Sequence, residues 1–198
     1  MKISERLSRQ GFAVVKNVIS VELAYFFTHI LCRRSEDPNN KAADEQVSNT
    51  LTFAHRTIEL DTLLEKVWAN AENYAGETLL PTYSYSRLYQ NGNFMEKHID
   101  KPTCEVSMTI QLGRSHEYSY PIFMGGNEVK LNVGDGVIYY GDKIEHWRDK
   151  CSGPEGYFSG QVFLHYVREN GKYKHLAGDH PSQRRGHIKF IKNRHFMF

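Results

Sequence analysis

From Pro81 to Val167 the sequence alternates between faces residue by residue and offers no helical stripe. Tyr83, Tyr85, Arg87 and Tyr89 fall on one side of an extended segment, and Ser84, Ser86 and Leu88 on the other. Val106, Met108, Ile110 and Leu112 form a second such row. Successive side chains of a strand point to opposite faces, so a period of two marks β-structure. Further short strands are expected at 121–124, 128–131, 136–140 and 161–167, parted by Gly-Gly, Gly-Asp and Gly-Pro turns. Some seven or eight closely spaced strands with no helix between them suit antiparallel pairing and a jelly roll or barrel.

The helical signals lie upstream of this run. After a short apolar strand at 11–18, Ser20 is a good N-cap for a helix to about Arg34, with Val21, Leu23, Ala24, Phe27, Ile30 and Leu31 on its apolar face. A second helix, 59–75, carries Leu60, Leu63, Leu64, Val67, Trp68, Ala71, Tyr74 and Ala75 at spacings of three and four, and Gly76 ends it. Trp68 and Tyr74 therefore read as core residues. Residues 36–40 are a turn, and 41–57 show no clean period. Helices followed by a run of strands define an α+β fold in which helices buttress an antiparallel sheet system.

A chain of 198 residues suits a single domain. The domain is expected to span 1–198, with a core over about 10–167. The net charge of +2 creates no global field that would commit the chain to nucleic acid. Basic residues do cluster beyond the core: 168–198 hold eight Lys/Arg against Glu169 and Asp179. This reads as a solvated extension, and its charge leaves an acidic partner or nucleic acid open. Cys32, Cys104 and Cys151 are odd in number and far apart, which argues against a disulfide framework and suits a reducing cytosol. No apolar run at the start reads as a secretion signal, and none is long enough to cross a bilayer, so a cytoplasmic protein is expected.

His98 and Asp100 stand two apart, so on an extended segment they project to the same side. His146 follows a strand-like stretch ending at Gly141. Two imidazoles and one carboxylate can hold one face of a metal ion and leave the others open, the ligand set of mononuclear non-haem Fe(II) oxygenases. Count alone does not establish this. With 10 His and 23 acidic residues, about one His-x-(Asp/Glu) match arises by chance.

Context supplies the rest. Residues 86–100, running Ser-Arg-Leu-Tyr-Gln-Asn-Gly into His98-Ile99-Asp100, resemble the "R-Y…G…H-x-D" entry to the metal site of the Fe(II)/2-oxoglutarate-dependent oxygenases, most of all the prolyl-4-hydroxylase branch. Residues 131–140, ending at His146, resemble the "P-G-D-hydrophobic…H" strand of that family, and 161–167 its closing strand. The resemblance spans residues 10–167. It implies a double-stranded β-helix, a distorted jelly-roll barrel, with His98, Asp100 and His146 binding Fe(II). It also implies 2-oxoglutarate as cosubstrate, O2 as oxidant, and ascorbate as a stimulating reductant. The reaction implied is hydroxylation of a C–H bond in a peptide, amino-acid-like or other small-molecule substrate.

That family places a basic residue about ten positions beyond the distal His to clamp the far carboxylate of 2-oxoglutarate. Here that stretch is Glu155-Gly156-Tyr157-Phe158. Arg148, on the same face as His146 if the segment is extended, is the leading substitute, because a guanidinium fork suits a carboxylate. Arg87 is the second candidate. Tyr85, Tyr89, Gln111 and Gln161 could add neutral hydrogen bonds or simply line the barrel. The missing base also leaves open a cupin-like metalloenzyme that does not use 2-oxoglutarate. A non-catalytic barrel acting as a binding module is a third reading. Loops 39–53 and 114–120 are expected at the mouth, where specificity is set.

Overall fold

The computed structural model describes residues 1–178 except Lys41 and Glu45. Residues 179–198, most of the expected basic extension, lie outside the described residues. The elements run α1 (Ile3–Gln10), β1 (Phe12–Val15), α2 (Val21–Ser35), β2 (Thr52–His55), α3 (Ile58–Ala75), β3 (Leu79–Gln90), β4 (Met95–His98), β5 (Val106–Arg114), β6 (Ile122–Met124), β7 (Asn127–Val129), β8 (Gly136–Tyr139), β9 (His146–Arg148) and β10 (Phe158–Arg168). Two antiparallel sheets result, ordered β1-β8-β5-β10-β3-β2 and β4-β9-β6-β7.

The helices form where their ends are satisfied. Ser20 accepts a hydrogen bond from the Leu23 backbone N–H at 3.2 Å, and Thr57 accepts one from Leu60 at 3.4 Å. Gly76 closes α3 in the left-handed region at φ 76°, where glycine meets no steric penalty. α1 had no counterpart in the sequence reading. It is short and charge-rich and buries only Leu7, so it carries no apolar stripe. β2 emerges from the stretch that showed no period, and it pairs with β3 as an edge strand.

Strand alternation divides the apolar residues into two cores. Outward residues of the six-stranded sheet, including Val106, Met108, Ile110, Leu112, Val162, Leu164 and Tyr166, pack against α2 and α3. Their inward neighbours line the space between the sheets, where Phe12, Tyr89, Met95, Ile122, Val137, Tyr139 and Phe163 form the second core. Trp68 and Tyr74 pack in the first core, as their place on the α3 stripe requires.

Arg168 ends the strand system, one residue past the approximate bound expected for the core. It is the last residue of β10, opposite Leu79, and it forms ion pairs with Glu77 at 2.9 Å and Glu105 at 2.8 Å. Among the described residues the three cysteines are free, and no helix is long and apolar enough to cross a membrane.

Candidate metal centre and its cavity

β4 and β9 pair antiparallel with His98 directly opposite His146. That register alone brings the two rings together, with centroids 4.3 Å apart. Asp100 sits just beyond β4, its backbone N–H donating to the Gly141 carbonyl at 2.7 Å. One Asp100 oxygen, Oδ1, lies 3.7 Å from His98 Nε2 and 3.6 Å from His146 Nε2. Two ligands each about 2.1 Å from a common ion at a cis angle sit about 3.0–3.4 Å apart. The three donors therefore need only a small inward movement to share one ion.

The tautomers follow from the backbone. His98 Nδ1 lies 2.8 Å from the Glu96 carbonyl, and His146 Nδ1 lies 3.0 Å from the Ile144 carbonyl. A carbonyl only accepts, so each Nδ1 carries the hydrogen and each Nε2 keeps its lone pair for a cation. Both imidazoles use the same bond to the residue two positions earlier. Burial also favours the uncharged ring. His98 is pushed below its ordinary value by burial and then by the neighbouring His146, and His146 chiefly by burial. Burial raises the Asp100 carboxyl to about 6. Poorly solvated donors of this kind, two of them neutral, favour the arrival of a dication.

A second group, Asp100, Cys104 and His165, also lies within ligand distance. It shares Asp100 with the first. Its thiol is pushed upward by complete burial and sits 3.1 Å from the Tyr83 hydroxyl, so it stays a neutral thiol rather than a thiolate ligand. The His98–Asp100–His146 set is the better metal site.

The centre opens into a cavity of about 640 Å³. Of the residues singled out from sequence, His98, Asp100, His146, Tyr85 and Arg87 line it. Tyr89 does not; it lies behind Arg87 and takes a hydrogen bond from Arg87 Nη1 at 3.3 Å. Gln111 and Gln161 are buried in the barrel wall, bonded to each other at 2.5 Å, and reach no part of the cavity surface. Loop 39–53 supplies Asp44, Gln46 and Phe53 to the lining, whereas loop 114–120 supplies nothing. Lys101 and His55 also line the cavity without having been assigned there from sequence, and so does His165, which the sequence left between core and pocket. His165 had a legible signal, since it shares a face of β10 with Gln161 and Phe163; His55 and Asp44 come from the aperiodic stretch and had none.

Arg148 lies on the same face of β9 as His146, opposite Met95, but it does not line the cavity. Arg148 is 1% exposed, and its guanidinium rests against the rings of Tyr89 and Tyr120. Nη1 donates to the carbonyls of Tyr120 at 2.8 Å and Pro121 at 3.0 Å, and Nε has no partner. No carboxylate among the described residues pairs with it. Arg87, by contrast, is held by Asp44 at 2.6 Å.

No family model matches the chain, and no curated protein sequence matches it. Solved structures do. The fold they share with this chain is the double-stranded β-helix, in which two facing antiparallel sheets carry a site between them. A prolyl-4-hydroxylase from Pseudomonas putida matches with a TM-score of 0.62 at 14% identity, covering 84% of this chain and 97% of that one. A prolyl hydroxylase from Trichoplax adhaerens, solved with a peptide fragment of the hypoxia inducible factor oxygen degradation domain, matches at 0.65 and 12%, covering 89% and 91%. The epimerase SnoN, in complex with Fe3+, alpha ketoglutarate and nogalamycin RO, matches at 0.67 and 12%, covering 96% and 93%. At these identities the likeness establishes the fold.

Proposed function

We propose that the protein is an Fe(II)- and 2-oxoglutarate-dependent dioxygenase that hydroxylates an unactivated C–H bond. The observation that carries this reading is the convergence of two Nε2 lone pairs and one half-buried carboxylate beside a cavity of a double-stranded β-helix. His98, Asp100 and His146 would hold the metal. When bound, Fe(II) and 2-oxoglutarate supply the oxidising chemistry, in which O2 is consumed, succinate and carbon dioxide are released, and substrate C–H becomes C–OH.

Arg148 is the residue we assign to the distal carboxylate of 2-oxoglutarate. A buried guanidinium without a countercharge is costly, and an arriving carboxylate would remove that cost. Its orphan Nε supports the assignment. Met95, the cross-strand neighbour of Arg148, lines the cavity, and its flexible side chain would have to make room for that carboxylate. The substrate is a peptide or amino-acid-like molecule, a prolyl residue being one such target. Protein side chains orient it and exclude water.

Anaerobic addition of Fe(II) and 2-oxoglutarate should give a visible charge-transfer band. His98→Ala and His146→Ala should each abolish it while leaving the protein folded. Absence of the band from the well-folded parent protein would refute the assignment. Arg148→Gln should weaken 2-oxoglutarate binding by about tenfold or more, the loss expected for a charge-assisted pair.

A further inference from the structure

Arg87 carries a second carboxylate-shaped seat inside the cavity. The Nε and Nη2 edge of a guanidinium is a planar fork that takes the two oxygens of one carboxylate side by side. In this protein that edge is filled by two separate side chains of one loop. Asp44 Oδ2 accepts from Nε at 2.6 Å, and Gln46 Oε1 accepts from Nη2 at 2.7 Å. Together the two oxygens stand where a bidentate carboxylate would. Arg87, Asp44 and Gln46 all border the cavity, and the guanidinium lies over the rings of Tyr85 and Phe163 at 5.0 and 5.5 Å.

Accepting the dioxygenase reading above, we propose that this fork binds an acidic group of the substrate, and that Asp44 and Gln46 are an internal stand-in which the substrate carboxylate displaces. Arg148 is reserved for the cosubstrate in that reading, so Arg87, which borders the cavity, remains for a second acid. The stand-in is split over two residues of a segment without regular structure, whereas a true carboxylate brings both oxygens on one rigid group. The walls beside the fork, Tyr85 and Phe163, suit a flat or ring-bearing body attached to that acid. The substrate class is therefore a small ring-bearing carboxylic acid, free amino acids with a ring included.

The test uses the full chain loaded with Mn(II) and saturating 2-oxoglutarate, with benzoate as the probe, read by calorimetry. A seat open about one tenth of the time binds about tenfold more weakly than an open one. Asp44→Asn should therefore tighten benzoate binding by about that factor and leave the affinity for 2-oxoglutarate unchanged. Arg87→Gln should abolish benzoate binding in both backgrounds. Gln46→Ala, which empties half of the fork and keeps the ion pair, should act in the same direction if Asp44→Asn does not fold. Unchanged or weaker benzoate binding in folded Asp44→Asn and Gln46→Ala would overturn the proposal and leave the pair a permanent staple. Tightening of 2-oxoglutarate instead of benzoate would also overturn it, by giving the seat to the cosubstrate. Failure of the parent protein to bind Mn(II) or 2-oxoglutarate would instead count against the dioxygenase reading. The benzoate arm without either ligand still decides the seat.

Discussion

Gly141 shows how tightly single residues are set around the metal ligands. A Cβ added there would lie 2.3 Å from the Cys104 carbonyl and 2.5 Å from Asp100 Oδ2, closer than atoms pack. Its own carbonyl holds the Asp100 backbone N–H. Gly141→Ala should thus push Asp100 off its position as well as strain the loop, at a cost of about 1–3 kcal/mol for an overpacked site. The expected result is a folded protein of lower melting temperature with Mn(II) affinity reduced by about tenfold or more, the size of loss seen when a ligand's support is disturbed. Titration calorimetry beside a melting curve checks both, and parent-like metal affinity would refute the role given to Gly141. His98, Asp100 and His146 were legible in the sequence as candidate ligands, because their spacing and the strand pattern around them are local, and the fold brings the three together. The need for glycine at 141 was not, because it arises from Cys104 and Asp100, some forty positions upstream, folding over it.

At the scale of elements, the turn into β8 is fastened by one side chain. Asp135 is nearly fully buried and accepts hydrogen bonds from Lys16 Nζ at 2.8 Å, from the Asn17 backbone N–H at 3.1 Å and from the Asn132 backbone N–H at 3.1 Å. It ties the turn to the segment after β1, beside β8 in the sheet. Burial pushes its carboxyl up, but these donors outweigh it and hold the group below the ordinary carboxylate range. A carboxylate depressed in the folded state stabilises above its unfolded value of about 3.9, and that contribution is lost as pH falls through the lower folded value. Asp135→Asn should cost about 1–3 kcal/mol at pH 7, as for a buried charged acceptor. The gap from the parent protein should narrow at pH 3, as urea unfolding at the two pH values would reveal; an equal gap at both would exclude the charge as its source. The sequence displayed this element as a Gly-Asp turn before a strand. Strands β3 and β5 were equally visible from their alternation, and β8 and β10 from short apolar runs between turns, whereas α1 and β2 were not, because they depend on packing against distant parts of the chain.

For the whole molecule, the two cores imply a division of labour. The outer one, where α2 and α3 cover the six-stranded sheet, is continuous and apolar. The inner one is interrupted by the cavity and by buried polar groups, among them Arg148, whose Nε has no partner, and His146, whose Nε2 is left for a cation. The barrel therefore holds groups whose burial is repaid only by ligands, and stability should be linked to occupancy. A ligand that binds only the folded state at one hundred times its dissociation constant stabilises by about 2.7 kcal/mol. For a chain of this size that raises the melting temperature by about 5–11 °C. On the proposed function, Mn(II) alone should give such a shift, and 2-oxoglutarate should add a second shift only when Mn(II) is present, because it would chelate the metal as well as meet Arg148. In His146→Ala both shifts should vanish. In Arg148→Gln the metal shift should persist while the 2-oxoglutarate increment shrinks. Differential scanning calorimetry over a ligand series separates these outcomes, and a 2-oxoglutarate shift independent of metal would place the acid away from the His98–Asp100–His146 centre.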